Sequence, residues 1–389
     1  MASQPVARTV EPMIAQVEPP RPALTAPSTT RIIGLDVARA LAMAGMVVVH
    51  YVWPDDSGSA VDVFAASMLG RAMPLFMLLG GIGVTLAAER LMHQDRALLL
   101  RAVIVFALGL IVDELSRWVA VVLQSYGLFF ALAPLFRRLT DRMLLVLAAL
   151  VAAAGGWTYQ VLGTSPRNEI AFDDLTDPLY VIRALLFDGY YPFFPVASFF
   201  ILGVWIGRLD LRSDRVAGAL TVVGLIVGIG SLMAAGAMID GWGVDETSFE
   251  AARQAANVSG FDTTRFFWER ILDDTGHGQM PVWVVSAAGT SLAVVGASLL
   301  IVPRAGGAVS PVVALGRLAL TFYVFQVALT MVVPIPSTTS FGQELLTVAA
   351  IYFGFMAAAF TWTRFFRVGP LEALLRVGSG PKAVRPDGR

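Results

Sequence analysis

The 389-residue chain is 56% hydrophobic and only 15% charged, with a mean hydropathy of +0.70, a balance that soluble globular domains do not reach. Its 28 basic and 29 acidic residues give a net charge of -1 and no basic stripe, so a nucleic-acid partner is not expected. Without cysteine, disulfides, thiolate metal sites, iron–sulfur clusters and cysteine nucleophiles are excluded, and any imidazole chemistry must use His50, His93 or His277.

Residues 1–30 hold Pro5, Pro12, Pro19, Pro20, Pro22 and Pro27 and no apolar period, which predicts a disordered cytoplasmic tail. No short apolar stretch with a small-residue cleavage site precedes the first span, so a cleavable signal peptide is not expected. Beyond the tail, apolar runs long enough to cross a hydrocarbon core of about 30 Å recur. Ten spans are predicted, over about 32–51, 67–88, 98–117, 119–136, 143–162, 192–208, 216–238, 281–302, 312–334 and 344–365. The fold class is therefore all-α, a polytopic transmembrane helical bundle over 31–376, followed by a flexible cytoplasmic tail at 377–389. Only a short segment around Arg117 divides the third run from the fourth.

With the N-terminus inside, 20 of the 28 basic residues fall on inner segments, which predicts cytoplasmic termini and, for a bacterial chain, an inner-membrane location. Two outer segments are long. Residues 163–191 include an interfacial stretch, Pro178 to Phe187, and 239–280 carries Phe266, Phe267, Trp268, Ile271 and Leu272 among charges, as a helix lying on the membrane surface would.

The first span is the most informative. Arg39 and His50 stand eleven residues apart, three helical turns plus about 20°, so they share a face and lie about 16 Å apart along the axis. Asp36, three residues before Arg39, shares that face. Charge at membrane depth is costly unless paired or turned to a cavity, so the stripe should face the bundle interior. Either Asp36 and Arg39 form an orienting ion pair with His50 capping the helix end, or the stripe carries function.

Further along, Arg71 on the second span is the other intramembrane charge, with Asp62 or the outer acidic loops as its natural partners. Gly80, Gly81 and Gly83 form no phosphate loop, since no Lys-Ser/Thr follows, and point to close helix packing. Asp113, Glu114, Gln124, Ser125 and Tyr126 either line a polar cavity or mark helix ends. His277, in Leu272-Asp273-Asp274-Thr275-Gly276-His277-Gly278, has carboxylates three and four residues away that could orient its ring; the alternative is a solvated loop histidine. No histidine pair has a metal-ligand spacing, so no metal is expected.

The run Arg31 to His50 resembles the opening helix of the heparan-α-glucosaminide N-acetyltransferase-like family, and the Arg39-x10-His50 spacing is similar to the Arg/His motif of acyltransferase family three. Tyr191-Pro192 to Gly203, Gly207-Arg208-Leu209-Asp210, Gly316-Arg317-Leu318-Ala319-Leu320-Thr321 and Gly369-Pro370-Leu371-Glu372-Ala373-Leu374-Leu375-Arg376 resemble the bacterial YeiB-like family. Together these stretches cover most of the chain after residue 30. Ala40 departs from the glycine usual after the arginine, and residues 51–70 lack the luminal-loop histidine of the lysosomal enzyme, so its role passes to His50 or is absent.

The resemblance implies transfer of an acetyl or other acyl group from cytoplasmic acyl-CoA, acetyl-CoA or a similar thioester, to a sugar hydroxyl or amine beyond the membrane. The implied catalytic residues are His50, Arg39 and His277, and the donor would be held by Arg39, Arg71, Arg96 and Arg101. The expected partners are the lipid bilayer, acyl-CoA and an extracytoplasmic glycan or glycolipid, with a homodimer left open. The competing expectation is a small-solute transporter with Asp36, Arg39, Arg71 and His50 lining its path.

Overall fold

A computed structural model describes residues 31–52, 67–88, 94–116, 119–163, 170–241, 271–274, 276–333 and 341–376. The expected tails, Asp62, Arg90, His93, Arg117 and the Phe266-Phe267-Trp268 stretch lie outside the described residues. Among the described residues every regular element is helical: α1 Ile33–Tyr51, α2 Ala72–Ala88, α3 Gln94–Leu115, α4 Leu123–Arg138, α5 Asp141–Leu162, α6 Pro178–Phe187, α7 Phe193–Ile206, α8 Asp214–Gly241, α9 Pro281–Ile301, α10 Ser310–Arg317, α11 Ala319–Leu329, α12 Phe341–Phe365 and α13 Pro370–Leu374.

Each of the ten apolar runs coincides with a helix, except that the ninth is split between α10 and α11. By length and composition, α1, α5, α8, α9 with its short extension and α12 are five helices able to cross a membrane, or six if the bent α10–α11 pair is one span. α2, α6 and α7 are apolar but shorter. Large apolar side chains remain bare on α8 and α12, among them Met233, Ile226, Leu346 and Phe353, as expected where lipid is the solvent. The chain is an all-helical, multi-pass membrane protein.

Local chemistry explains where several elements start. Thr140 caps α5 by accepting from Met143 N, and Asp177 caps α6 by accepting from Leu179 N and Tyr180 N, with Pro178 at the first helical position. On α6, Leu179 and Ile182 are exposed while Ala184 is buried, the one-sided pattern of an interfacial helix.

α1 is the hub, packing against α2, α9, α10 and α12. Of the three glycines expected to serve close packing, Gly81 meets the backbone of Phe200 and Val204 on α7 and Gly80 meets the Tyr126 ring, while Gly83 has only an ordinary contact; Gly203 of α7 in turn meets Leu78 on α2, so a Cβ at Gly81 or Gly203 would strike a neighbouring main chain. Gly316 likewise lets α10 approach the Asp36 carbonyl of α1.

The split of the ninth run is a departure from the single predicted span. The chain turns by 68° between α10 and α11 at Leu318, whose φ of -110° and ψ of 27° are not helical. A helix N-terminus opened in the middle of a bundle leaves backbone N–H groups without partners. Glu372 of α13 supplies them: its carboxylate accepts from Leu320 N at 2.9 Å, Thr321 N at 3.1 Å and Thr321 Oγ1 at 2.6 Å. Leu371 N donates to Thr321 Oγ1, and Arg317 Nη2 donates to the Arg367 carbonyl. The two late motifs, Gly316 to Thr321 and Gly369 to Arg376, are therefore halves of one interlock that fixes the direction of α11.

Candidate functional site

On α1 the polar stripe forms as its spacing predicts. Arg39 Nη1 donates to Asp36 Oδ1 at 2.8 Å; Asp36 is buried and Arg39 half-buried, so the pair faces the interior. The guanidinium lies beside Gly83 of α2, where a Cβ would stand in ordinary van der Waals contact with Arg39 Nη2 at 3.7 Å. Tyr126 of α4 is within electrostatic reach of Arg39. Tyr352 donates to the Ala40 carbonyl at 3.2 Å, tying α12 to the next residue of α1.

At the far end of the stripe, His50 is half-buried and its Nδ1 lies 2.6 Å from the side-chain amide of Gln326 on α11. Gln326 itself is fully buried. The neighbouring Tyr51 has a buried hydroxyl without a partner. His277 lies within electrostatic reach of His50, so two of the three histidines meet at one end of the bundle although 227 residues separate them.

His277 is held in a ring of aromatic side chains rather than by a carboxylate. Its imidazole lies 5.5 Å from the Tyr190 ring centre, 5.7 Å from Tyr191 and 6.1 Å from Trp283. Burial lowers its pKa to about 4, opposed in part by a contact with the Tyr190 backbone, so the ring is neutral at physiological pH. Burial also raises the Tyr191 hydroxyl well above the ordinary tyrosine range. His277 adopts a φ of 64° and Gln279 a φ of 61°, both in the left-handed region that non-glycine residues enter at a cost. Gln279 is anchored there by donating to the Tyr190 carbonyl at 2.9 Å.

Arg71 stands in the turn just before α2, not within the helix as the sequence suggested. Its Nη1 donates to Ser286 Oγ of α9 at 2.6 Å and its charge faces Asp274, which is the outer acidic partner expected of it. Next to it, Gly70 at φ 68° packs against the backbone of Gly276 and His277 and the indole nitrogen of Trp283, where any side chain would collide. Arg71 thus braces the segment that carries His277.

Arg96 and Arg101 lie at the start of α3, beyond the other end of α2. Arg96 is exposed, and Arg101 Nε donates to the Leu375 carbonyl at 2.9 Å. Nearby charges are mutually paired: Arg138 with Asp95 at 2.7 Å and Arg208 with Asp141 at 2.6 Å.

Of the residues that the sequence left between cavity lining and helix end, Gln124 donates to the Gly109 carbonyl and Ser125 to the Tyr191 carbonyl, both helix-joining bonds. Tyr126 instead belongs to a polar series. It is within reach of Arg39 on one side and Tyr323 on the other, and Tyr323 is within reach of Asp113 and Tyr191. Tyr191 packs on His277, and His277 faces His50. Polar groups therefore follow one another through the bundle from Arg39 to His50. Tyr190, Tyr191, Trp283, Tyr323 and Gln326 were not singled out from sequence, because an aromatic or amide within an apolar run carries no local signal.

Among the described residues, five buried polar atoms at the His50 end have no partner: the Tyr51 hydroxyl, Gln326 Oε1, Gln279 Oε1, His277 Nδ1 and Trp283 Nε1. Unpaired buried groups are rare, and clustered ones suit a polar ligand that would satisfy them. Among the described residues no group of side chains could hold a metal ion.

Comparison with known families gives two matches. The model described as heparan-alpha-glucosaminide N-acetyltransferase, catalytic, matches residues 31–232, which span α1 to most of α8. A second, described as a protein of unknown function (DUF418), matches residues 264–380, from the segment before His277 to just past α13. No curated protein matches the chain.

Proposed function

The chain belongs to the family of the heparan-alpha-glucosaminide N-acetyltransferase catalytic domain, and from that premise we propose that it moves an acetyl or other acyl group from cytoplasmic acyl-CoA to a sugar hydroxyl or amine on the far side of a bacterial inner membrane. The observation that carries the reading is the meeting of His50 with Gln326 and His277 beside five unpaired buried polar atoms. In this reading the bundle has ten spans and cytoplasmic termini, the Arg39 end of α1 faces inward and the His50 end outward.

The proposed chemistry uses His50 as general base. The acceptor oxygen or nitrogen attacks the thioester carbonyl as His50 takes its proton, the C–S bond breaks, and the proton is passed to the departing CoA sulfur. A neutral imidazole suits that step, which positioned bases typically accelerate by about 10²–10⁴-fold. Arg39, with one arm of its fork on Asp36, offers its remaining donors to the thioester or pantetheine oxygens. In this reading Arg96 and Arg101 would meet the CoA phosphates, and Arg71, bound to Ser286, would brace the loop that presents His277 to the acceptor.

The test uses purified protein in lipid nanodiscs with acetyl-CoA and a panel of amino sugars and polysaccharides, following CoA release and acetylated product by mass spectrometry. Wild type is expected to transfer and His50→Ala to lose at least about 10²-fold. Equal donor consumption by the two would end the assignment of His50. A transporter would instead show solute counterflow in vesicles without any acyl donor. The broken α10–α11 pair is the one feature that favours it, but the break is closed by Glu372 of the same chain rather than left for a solute.

A further inference from the structure

We infer that Gln326 is a positioning residue that locks His50 in the tautomer with its proton on Nδ1, leaving Nε2 as the free base. The role in catalysis rests on the acyltransferase reading; the tautomer itself does not.

The argument starts from the 2.6 Å contact between the Gln326 amide and His50 Nδ1. An amide nitrogen facing that ring nitrogen would donate into its lone pair, which forces the ring proton onto Nε2 and removes the base. The same orientation leaves Gln326 Oε1 buried without a donor. Amide oxygen and nitrogen are interchangeable in shape, and the hydrogen-bond network decides between them. A separation of 2.6 Å is short for a nitrogen–nitrogen bond and closer to the usual range for nitrogen to oxygen. With the carbonyl facing the ring, Nδ1–H donates to Oε1, Nε2 keeps its lone pair, and the amide NH2 becomes a buried donor available to an oxygen of the ligand.

The fold directs Gln326 to this point. It is fully buried on α11, whose direction is set by the bend at Leu318 and the Glu372 lock. Among the described residues the polar neighbours of the His50 ring are Gln326 and His277, neither of them a carboxylate. The base thus lies in the span matched by the catalytic-domain family and its orienting group in the span matched by the second family, so both spans are required for one site.

The experiment uses the full chain in nanodiscs, labelled with ¹⁵N-histidine. Only three imidazoles are present, so their ring nitrogens can be resolved, and His50 is assigned by its loss in His50→Gln. At neutral pH His50 is expected to show a protonated Nδ1 and a bare Nε2 in wild type and in Gln326→Glu, whose carboxylate still accepts from Nδ1–H. Gln326→Leu should show both tautomers, with kcat down by about 10–100-fold and KM for acetyl-CoA unchanged. If the leucine variant does not fold, Gln326→Asn withdraws the amide by one methylene and should mix the tautomers in the same way. A protonated Nε2 in wild type, or an unchanged spectrum in a folded Gln326→Leu or Gln326→Asn, overturns the inference. A protonated Nδ1 in a protein that transfers no acyl group would sink the acyltransferase reading and leave the lock standing.

Discussion

Removing the Glu372 carboxylate tests whether the two C-terminal motifs form a lock. Glu372 is half-buried and accepts three hydrogen bonds at the N-terminus of α11, two from backbone N–H groups and one from Thr321 Oγ1. Loss of a capping side chain costs about 0.5–2 kcal/mol, and the favourable charge at a helix N-terminus adds about 0.3–1 kcal/mol. Glu372→Ala should therefore destabilise by about 1–3 kcal/mol, or roughly 2–10 °C in thermal midpoint on the scale of large domains. Glu372→Gln keeps an acceptor for Leu320 N and Thr321 N and a donor for Thr321 Oγ1 and loses only the charge, so its cost should be about 1 kcal/mol or less. Thermal unfolding in detergent, followed by intrinsic fluorescence, gives the ranking wild type, Gln, Ala. Thr321→Ala combined with Glu372→Ala should cost less than the sum of the single changes, because the two share a bond. Equal midpoints for all three proteins, or full additivity in the double variant, would refute the lock.

The Asp36–Arg39 pair separates a structural from a functional stripe. Arg39→Ala removes the 2.8 Å ion pair from the buried Asp36 carboxylate and should lower the folded yield. Asp36→Asn with Arg39→Gln removes both charges and should recover most of that yield; if transfer returns as well, Arg39 has no part in donor binding. His277 makes stability depend on pH. Its folded pKa of about 4 lies below the ordinary 6.5, so its contribution is intact above pH 6.5 and is lost as the unfolded chain takes up the proton, reaching about 2 kcal/mol at pH 5. Thermal midpoints of His277→Gln at pH 7 and pH 5 should differ less than those of wild type, and equal differences would contradict a buried neutral ring. Gly316→Ala sets a Cβ against the Asp36 carbonyl and should cost at least about 1–3 kcal/mol, whereas Gly218→Ala, at an open position on α8, should not; equal losses at the two would contradict the close approach.

The helices were legible because lipid imposes a length and a composition on every crossing segment, and each predicted run coincides with a helix or a helix pair. The Arg39–His50 stripe was legible because spacing on one helix is fixed by geometry. What escaped the sequence reading depends on contacts between distant segments. The bend at Leu318 sits in an apolar run without proline and is held by a glutamate 54 positions later. Arg71 reads as intramembrane from its flanks, yet the backbone at Gly70 turns first and delivers it to Ser286 and Asp274. Of the two carboxylates expected near His277, Asp274 faces the charge of Arg71, and three aromatic rings from two other segments surround the imidazole.

That exchange of partners bears on how the site works. A histidine meant to carry positive charge would be expected beside a carboxylate that favours the imidazolium. Here Gln326, a neutral amide, meets His50, while aromatic rings enclose His277 and the nearby acidic side chain is committed to an arginine. Neutral partners can fix the ring orientation and tautomer of an imidazole without adding to its charge, and the buried His277 ring stays neutral at physiological pH. The acyltransferase reading needs an imidazole that can accept a proton where the two histidines meet, and a chain that only moved a charged solute past His277 would gain nothing from keeping that ring neutral.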